Sequence, residues 1–221
     1  MNVILFGATG MVGQGVLREC LLDAEVERVL VVGRVTTGVT HAKLRELLRA
    51  DLADLGPVAA ELRGYDACFF CLGVSSVGLD EAAYKKITYD LTLAAARVLL
   101  AENPGLRFVY VSGQGTDSSK QGRSMWARVK GKTENDLLAL PFGAAYMFRP
   151  GAIQPTHGER TKVRAYQVAL VVLKPLFPLL RWLFPNHVTT TDRLGRAMLH
   201  VVKHGSPLRH LAPRDINAAS A

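Results

Sequence analysis

Five short stretches of this sequence, NVILFG, ERVLVVGR, DACFFCLG, LRFVYVSG and GAAYMFRPG, are built around apolar runs, and stretches of mixed polarity separate them. A strand with one wet face alternates apolar and polar residues. These runs do not alternate, so each calls for cover on both faces. The arrangement that meets this demand is α/β: a doubly wound parallel sheet with helices on both sides, joined by right-handed crossovers. A ligand site is expected beyond the C-terminal ends of its strands. Three stretches read as helices: MVGQGVLRECLL, with Val12, Val16, Cys20 and Leu21 on one face, residues from about 80 to 102, closed by NPG, and GRSMWARVKGKTENDLLAL. AKLRELLRADL fits a strand or a helix equally.

A chain of 221 residues with 49% hydrophobic content suits one domain with a sizeable core. The expected division is a dinucleotide-binding core over residues 1–155, a small C-terminal helical lobe over 156–215 that serves as lid or substrate wall, and a loose tail over 216–221. Apolar residues begin at once, with no basic leader, which leads to the expectation of a cytoplasmic protein. Cys20, Cys68 and Cys71 are an odd set that fits free thiols. Cys68 and Cys71 are three apart on a strand and point to opposite faces, so no metal site is expected.

Charge is concentrated at one end. From Arg149 onward eleven basic residues face three acidic ones, so the whole net charge of +8 falls there. The apolar segment VRAYQVALVVLKPLFPLLRWLFP is broken by Lys174, Pro175, Pro178 and Arg181, and its apolar runs are shorter than the roughly 18 residues that span a bilayer. Three uses remain for it: a lid, a homodimer surface, or a peripheral membrane contact. Nucleic acid is not expected, since no recognition helix or stacking strand accompanies the charge.

FGATGMVGQG places Gly7, Gly10 and Gly13 three apart between the first strand and first helix. Glycine serves where a backbone turns tightly or approaches a pyrophosphate, and the helix N-terminus adds free N–H groups and a positive dipole end. Thr9, Met11 and Val12 belong to the same turn. The second strand ends VVGR, with no carboxylate for a free 2′-hydroxyl, whereas Arg34 offers a guanidinium to a 2′-phosphate. NADP(H) is therefore expected over NAD(H).

In SMWARVKGK, Trp126 and Lys130 are four apart and share a helix face. With the order GATGMVG, CLG, VSGQGTD, W-x-x-x-K and FRPG, residues 1 to about 155 resemble the extended short-chain dehydrogenase/reductase superfamily, and within it the epimerase-like, NADP-binding, Tat-interacting-protein-like group. The resemblance implies a Rossmann fold, bound NADP(H), Lys130 on the nicotinamide ribose, and Asp51 with Leu52 and Leu72 with Gly73 on the adenine side. Pro150 and Ile153, at the end of the match, complete the expected cofactor set.

Two departures bear on chemistry. The superfamily's proton-carrying tyrosine is replaced by Trp126, whose indole N–H is neither acid nor base near neutral pH. At the end of the fifth run only Ser112 remains, followed by Gly113 and Gln114. Lys130 and Ser112 are the expected catalytic residues, and Trp126 and Gln114 the substrate pocket. Ser112, Ser124, Tyr89 and His157 are candidate proton sources, histidine having the most suitable ordinary pKa. The chain thus reads as an oxidoreductase or epimerase-like enzyme acting on a small carbonyl or hydroxyl substrate with a non-standard proton donor. The alternative is a regulatory or interaction protein that binds a dinucleotide without turnover.

Overall fold

The computed structural model describes residues 1–159 and 187–220. All five apolar runs are strands: β1 (Asn2–Phe6), β2 (Arg28–Gly33), β4 (Ala67–Phe70), β5 (Arg107–Val111) and β6 (Ala144–Phe148). β3 (Leu44–Leu48) and β9 (His210–Leu211) close the two edges, giving seven parallel strands in the order β3-β2-β1-β4-β5-β6-β9. A second, two-stranded sheet pairs β7 (Ala152–Gln154) with β8 (Val188–Thr190), also in parallel.

The even hydrophobicity of the strands has its cause in this layering. Successive side chains of a strand point to opposite faces. Val3 and Leu5 enter one buried cluster, with α1 (Met11–Leu22) and α5 (Thr191–His204), while Ile4 and Phe6 enter the other, with α3 (Leu91–Glu102). Neither face of β1 meets water. β3 is the ambiguous stretch, and its ambiguity is that of an edge strand: of its five residues only Leu47 is buried. α2 (Glu81–Lys85) continues through a π-helical turn (Lys86–Asp90) into α3, and α4 (Met125–Leu138) covers the same side of the sheet.

The C-terminal residues are bound into this core more closely than a division at residue 155 suggests. α5 lies along α1 and sends Leu194, Ala197, Met198, Val201 and Val202 into the cluster that holds β1, and β9 is a strand of the main sheet. The tail expected from residue 216 is instead part of α6 (Pro213–Ala219), with Ile216 fully buried. Burying an isoleucine contributes about 2 kcal/mol toward holding this short terminal helix in place. The apolar segment read as lid, dimer surface or membrane contact lies outside the described residues. Among the described residues no helix is long and apolar enough to cross a membrane. Cys68 stands in β4 and Cys71 follows it; burial pushes both thiols up, and the described residues hold no cluster able to bind a metal.

Candidate functional site

The strand order reverses at β1, which has β2 on one side and β4 on the other. A crevice opens there, at the C-terminal ends of the strands. Gly7 follows β1 with φ +81, and a side chain on it would stand 2.5 Å from the Leu72 backbone nitrogen after β4. A side chain on Gly13 would stand 2.1 Å from the Gly7 carbonyl oxygen, so only glycine lets α1 start this close to β1. Gly10 differs: a Cβ there would meet only the Gly7 carbonyl oxygen, at 3.4 Å. Its backbone is open to approach. Gly10 is also the N-cap of α1, where no side chain caps the helix and no acidic residue occupies the first turn. The unpaired N–H groups and the dipole are thus left for an outside anion.

The cleft in front of this turn measures about 710 Å³. The turn contributes Gly7, Thr9, Gly10, Met11 and Val12, the end of β2 contributes Arg34, and Leu52, Leu72 and Gly73 form the far wall. Gly13 lies behind it as packing. Arg34 is exposed and has no hydrogen-bond or ion-pair partner among the described residues. Glu46 of β3 does not compete for it, because its carboxylate accepts from the hydroxyls of Thr36 and Thr37 (2.6 Å each) and from the Thr37 amide (2.7 Å). Asp51 is placed otherwise than expected. It is exposed, does not line the cleft, and accepts from the Ala53 amide at 2.8 Å, shaping the turn that presents Leu52. Pro150 and Ile153 are buried, and Ile153 packs in the core beside β1.

A second group of residues gathers past the end of β5. On α4, Trp126, Lys130 and Glu134 follow at four-residue steps. The Lys130 ammonium donates to the Ser112 carbonyl oxygen. Burial pushes its pKa down to about 8, against an opposing pull from Glu134. The Ser112 hydroxyl donates to Glu134 Oε1 at 2.5 Å and lies 3.2 Å from the Phe148 carbonyl. It faces the protein interior, so the substrate-orienting part expected of it is already occupied. Glu134 is fully buried and is also held by Arg149, whose Nε lies 3.0 Å from Oε1 and whose Nη2 donates to Oε2.

Gln114 and Trp126 both lie at the turn after β5. The Trp126 ring lies 3.6 Å from where a side chain on Gly115 would be. The Gln114 amide nitrogen of the backbone donates to the Pro150 carbonyl at 2.8 Å, and the side-chain Nε2 lies 3.3 Å from Nδ1 of His187. Lys130, Trp126, Gln114 and His187 therefore all converge on the turn formed by residues 112–115.

The other candidate proton sources lie elsewhere. Tyr89 donates to Asp136 at 2.6 Å and accepts from Lys132 at 3.0 Å, between the π-helical turn and α4. Ser124 is the exposed N-cap of α4. His157 lines a cavity of about 800 Å³ beside α1, which borders the cleft at Ala8, Thr9 and Val35. Sequence reading missed Glu134, Arg149 and His187. Glu134 carried a signal, being four residues past Lys130 on the same face; a lone histidine before β8 carried none.

The sequence profile of the NAD dependent epimerase/dehydratase family matches residues 3–123. Protein FMP52-2, mitochondrial, of Scheffersomyces stipitis is 30% identical over 176 residues, covering 77% of this chain and 73% of its own. Among solved structures, an oxidoreductase of the short-chain dehydrogenase/reductase family from Burkholderia thailandensis superposes with a TM-score of 0.73 at 16% identity, covering 99% of this chain and 92% of its own. The Bordetella bronchiseptica enzyme WbmF in complex with NAD+ gives 0.68 at 17% identity, covering 98% and 76%. At such identities the two structures attest the fold. The mitochondrial name of the Scheffersomyces relative overturns the expectation of a cytoplasmic location. The opening apolar run behind that expectation is β1, buried in the sheet, and a buried strand says nothing of compartment.

Proposed function

This chain belongs to the NAD dependent epimerase/dehydratase family, and from that premise we infer that it binds NADP(H) and works as an oxidoreductase or epimerase-like enzyme on a small carbonyl or hydroxyl compound. Family membership supports a nicotinamide dinucleotide as cofactor, and the glycine turn fits one: Gly7 and Gly13 sit where a Cβ would strike backbone, while Gly10 leaves the approach clear. The observation that carries the choice of NADP(H) is Arg34, an exposed guanidinium at the cleft without a partner among the described residues. Backbone N–H groups at the start of α1 would hold the diphosphate, Leu52 and Leu72 would flank the adenine, and Lys130 would hold the nicotinamide ribose. When bound, the cofactor gives or takes a hydride. Trp126 walls the pocket and keeps water from it, as a large rigid ring does.

Fluorescence titration of NADPH and NADH tests the cofactor. NADPH is expected to bind at least about tenfold more tightly, with Arg34→Ser bringing the two to parity, as the loss of one charge-assisted contact should. Equal dissociation constants in the unaltered protein would remove NADP(H) from the proposal. The name of the Scheffersomyces relative supports a mitochondrial setting.

One observation favours a second reading, a dinucleotide-binding protein without turnover: the Ser112 hydroxyl is engaged by Glu134, and Trp126 offers no titrating group. Incubating bound NADPH with 4-nitrobenzaldehyde separates the two. Persistence of reduced cofactor across substrates of this class supports the binder; oxidation supports the enzyme.

A further inference from the structure

His187, just before β8, reaches Gln114 in the turn whose Ser112 carbonyl binds Lys130, and it is held there by backbone as well as by side chain. Its carbonyl oxygen accepts from the Ala152 amide at 3.1 Å, in a register that pairs Ala152 with Val188. Two residues earlier, the Pro150 carbonyl accepts from the Gln114 amide at 2.8 Å. Between these bonds lies Gly151, where a side chain would stand 2.4 Å from the His187 carbonyl oxygen and 2.7 Å from Gln114 Oε1. Glycine at that position is what lets Gln114 and the start of β8 close on each other. The contact between Gln114 Nε2 and His187 Nδ1, at 3.3 Å, is thus braced on both sides.

This contact can be made by the ring in more than one form. An amide nitrogen is only a donor, so a neutral imidazole accepts it at Nδ1 and carries its proton on Nε2. Turned over, the same amide offers Oε1 to the Nδ1–H of an imidazolium. Gln114 can therefore hold the ring in either protonation state. His187 is exposed, and Nε2 is the ring nitrogen that the contact with Gln114 leaves unused. On the other flank of the turn, Lys130 is tied to the Ser112 carbonyl and Trp126 lies over Gly115.

Resting on the cofactor reading above, we propose that His187 exchanges the proton with the reacting oxygen of the small carbonyl or hydroxyl substrate, with Gln114 as its positioning residue. As that oxygen gains electron density, an O–H bond forms with the Nε2 proton of the imidazolium. The N–H electron pair stays on the ring, and solvent returns a proton to the neutral imidazole. In the oxidising direction the same atoms move in reverse. Trp126 stands in the superfamily's tyrosine position and cannot take this part; His187, just before β8, supplies the missing proton carrier.

The test uses imidazole ¹⁵N–¹H spectra of the full chain, with His187 assigned through His187→Asn. Adding NADP+ is expected to shift the His187 resonances and to leave those of His200 and His204, on α5, in place. Gln114→Ala is expected to move the Nδ1 resonance of the neutral ring, which loses its donor there. With NADPH and 4-nitrobenzaldehyde, His187→Asn and His187→Gln are expected to lower kcat by about 100-fold while the NADPH dissociation constant stays within about twofold. Gln114→Ala is expected to displace the pH profile of kcat, which a merely structural role would not do. Bound NADP+ with unmoved His187 resonances, or unaltered turnover in both His187 variants, overturns the proposal and leaves the cofactor reading standing. Where the aldehyde is not turned over, the spectra decide alone. Failure to bind NADP+ at all overturns the cofactor reading, and the proposal falls with it.

Discussion

Glu134 and Arg149 form an ion pair that ties α4 to the end of β6: the carboxylate is fully buried, the guanidinium 22% exposed, and two of its nitrogens bond the two carboxylate oxygens. The same carboxylate takes the Ser112 hydroxyl at the end of β5, and the same guanidinium donates to the Ser118 hydroxyl at 2.5 Å. Two strand ends, the loop after β5 and the lysine helix are fixed relative to one another through these two side chains.

Breaking the pair from the two sides should have unequal effects. Arg149→Met leaves the buried carboxylate without its cationic partner, bonded only by the neutral Ser112 hydroxyl, which costs about 3 kcal/mol. Glu134→Gln removes the buried charge, and Arg149 can turn its exposed part to water, so its loss should be smaller. Urea unfolding of both variants checks this order. A wild-type midpoint for Arg149→Met would contradict it.

Lys130 should leave a mark on stability against pH. Its folded pKa of about 8 lies below the ordinary 10.5. Between those values the unfolded chain holds the proton and the native one does not, so the native state gains stability as pH rises through that window. Below about pH 8 both states are protonated, and the cost of burying the ammonium is present in full. Lys132 and Lys203 are held above the ordinary range by carboxylate partners and act in the opposite sense at higher pH. The informative quantity is therefore the difference between wild type and Lys130→Met, which should rise from pH 7.5 to pH 10, measured by urea unfolding. A flat difference would place the lysine in an ordinary solvated state.

Gly10 and Gly13 should part company when changed to alanine. At Gly13 a methyl would lie 2.1 Å from the Gly7 carbonyl oxygen and must displace backbone, costing about 3 kcal/mol. At Gly10 the contact is 3.4 Å, so the fold should survive with a loss within about 1 kcal/mol. The methyl would instead stand on the open side of the turn, and NADPH affinity should fall by about tenfold or more. Paired unfolding and titration curves for the two variants distinguish a packing glycine from an approach glycine.

What the sequence disclosed followed from how local each cause is. The five strands of the sheet centre announce themselves because both their faces are buried, and the glycine turn because its three positions are contiguous with β1. β3 stayed ambiguous because only one of its side chains is buried. The place of α5 was illegible for another reason. Its partner is α1, far away in the chain, and the small residues that bring them together, Gly15 against Thr191 and Gly195 against Glu19, show no pattern until the two helices meet. His187 was hidden in the same way, its partner Gln114 being 73 residues distant. The direction of the Ser112 hydroxyl was hidden as well, since Glu134, which sets it, lies 22 residues on.

The most direct measurement is a crystal structure of this chain grown with NADP+. The expected result is a diphosphate against the backbone N–H groups at the start of α1, the 2′-phosphate beside Arg34, and the nicotinamide ribose beside Lys130. A dinucleotide bound away from the Gly7–Gly13 turn, or a turn left empty at saturating NADP+, would contradict it.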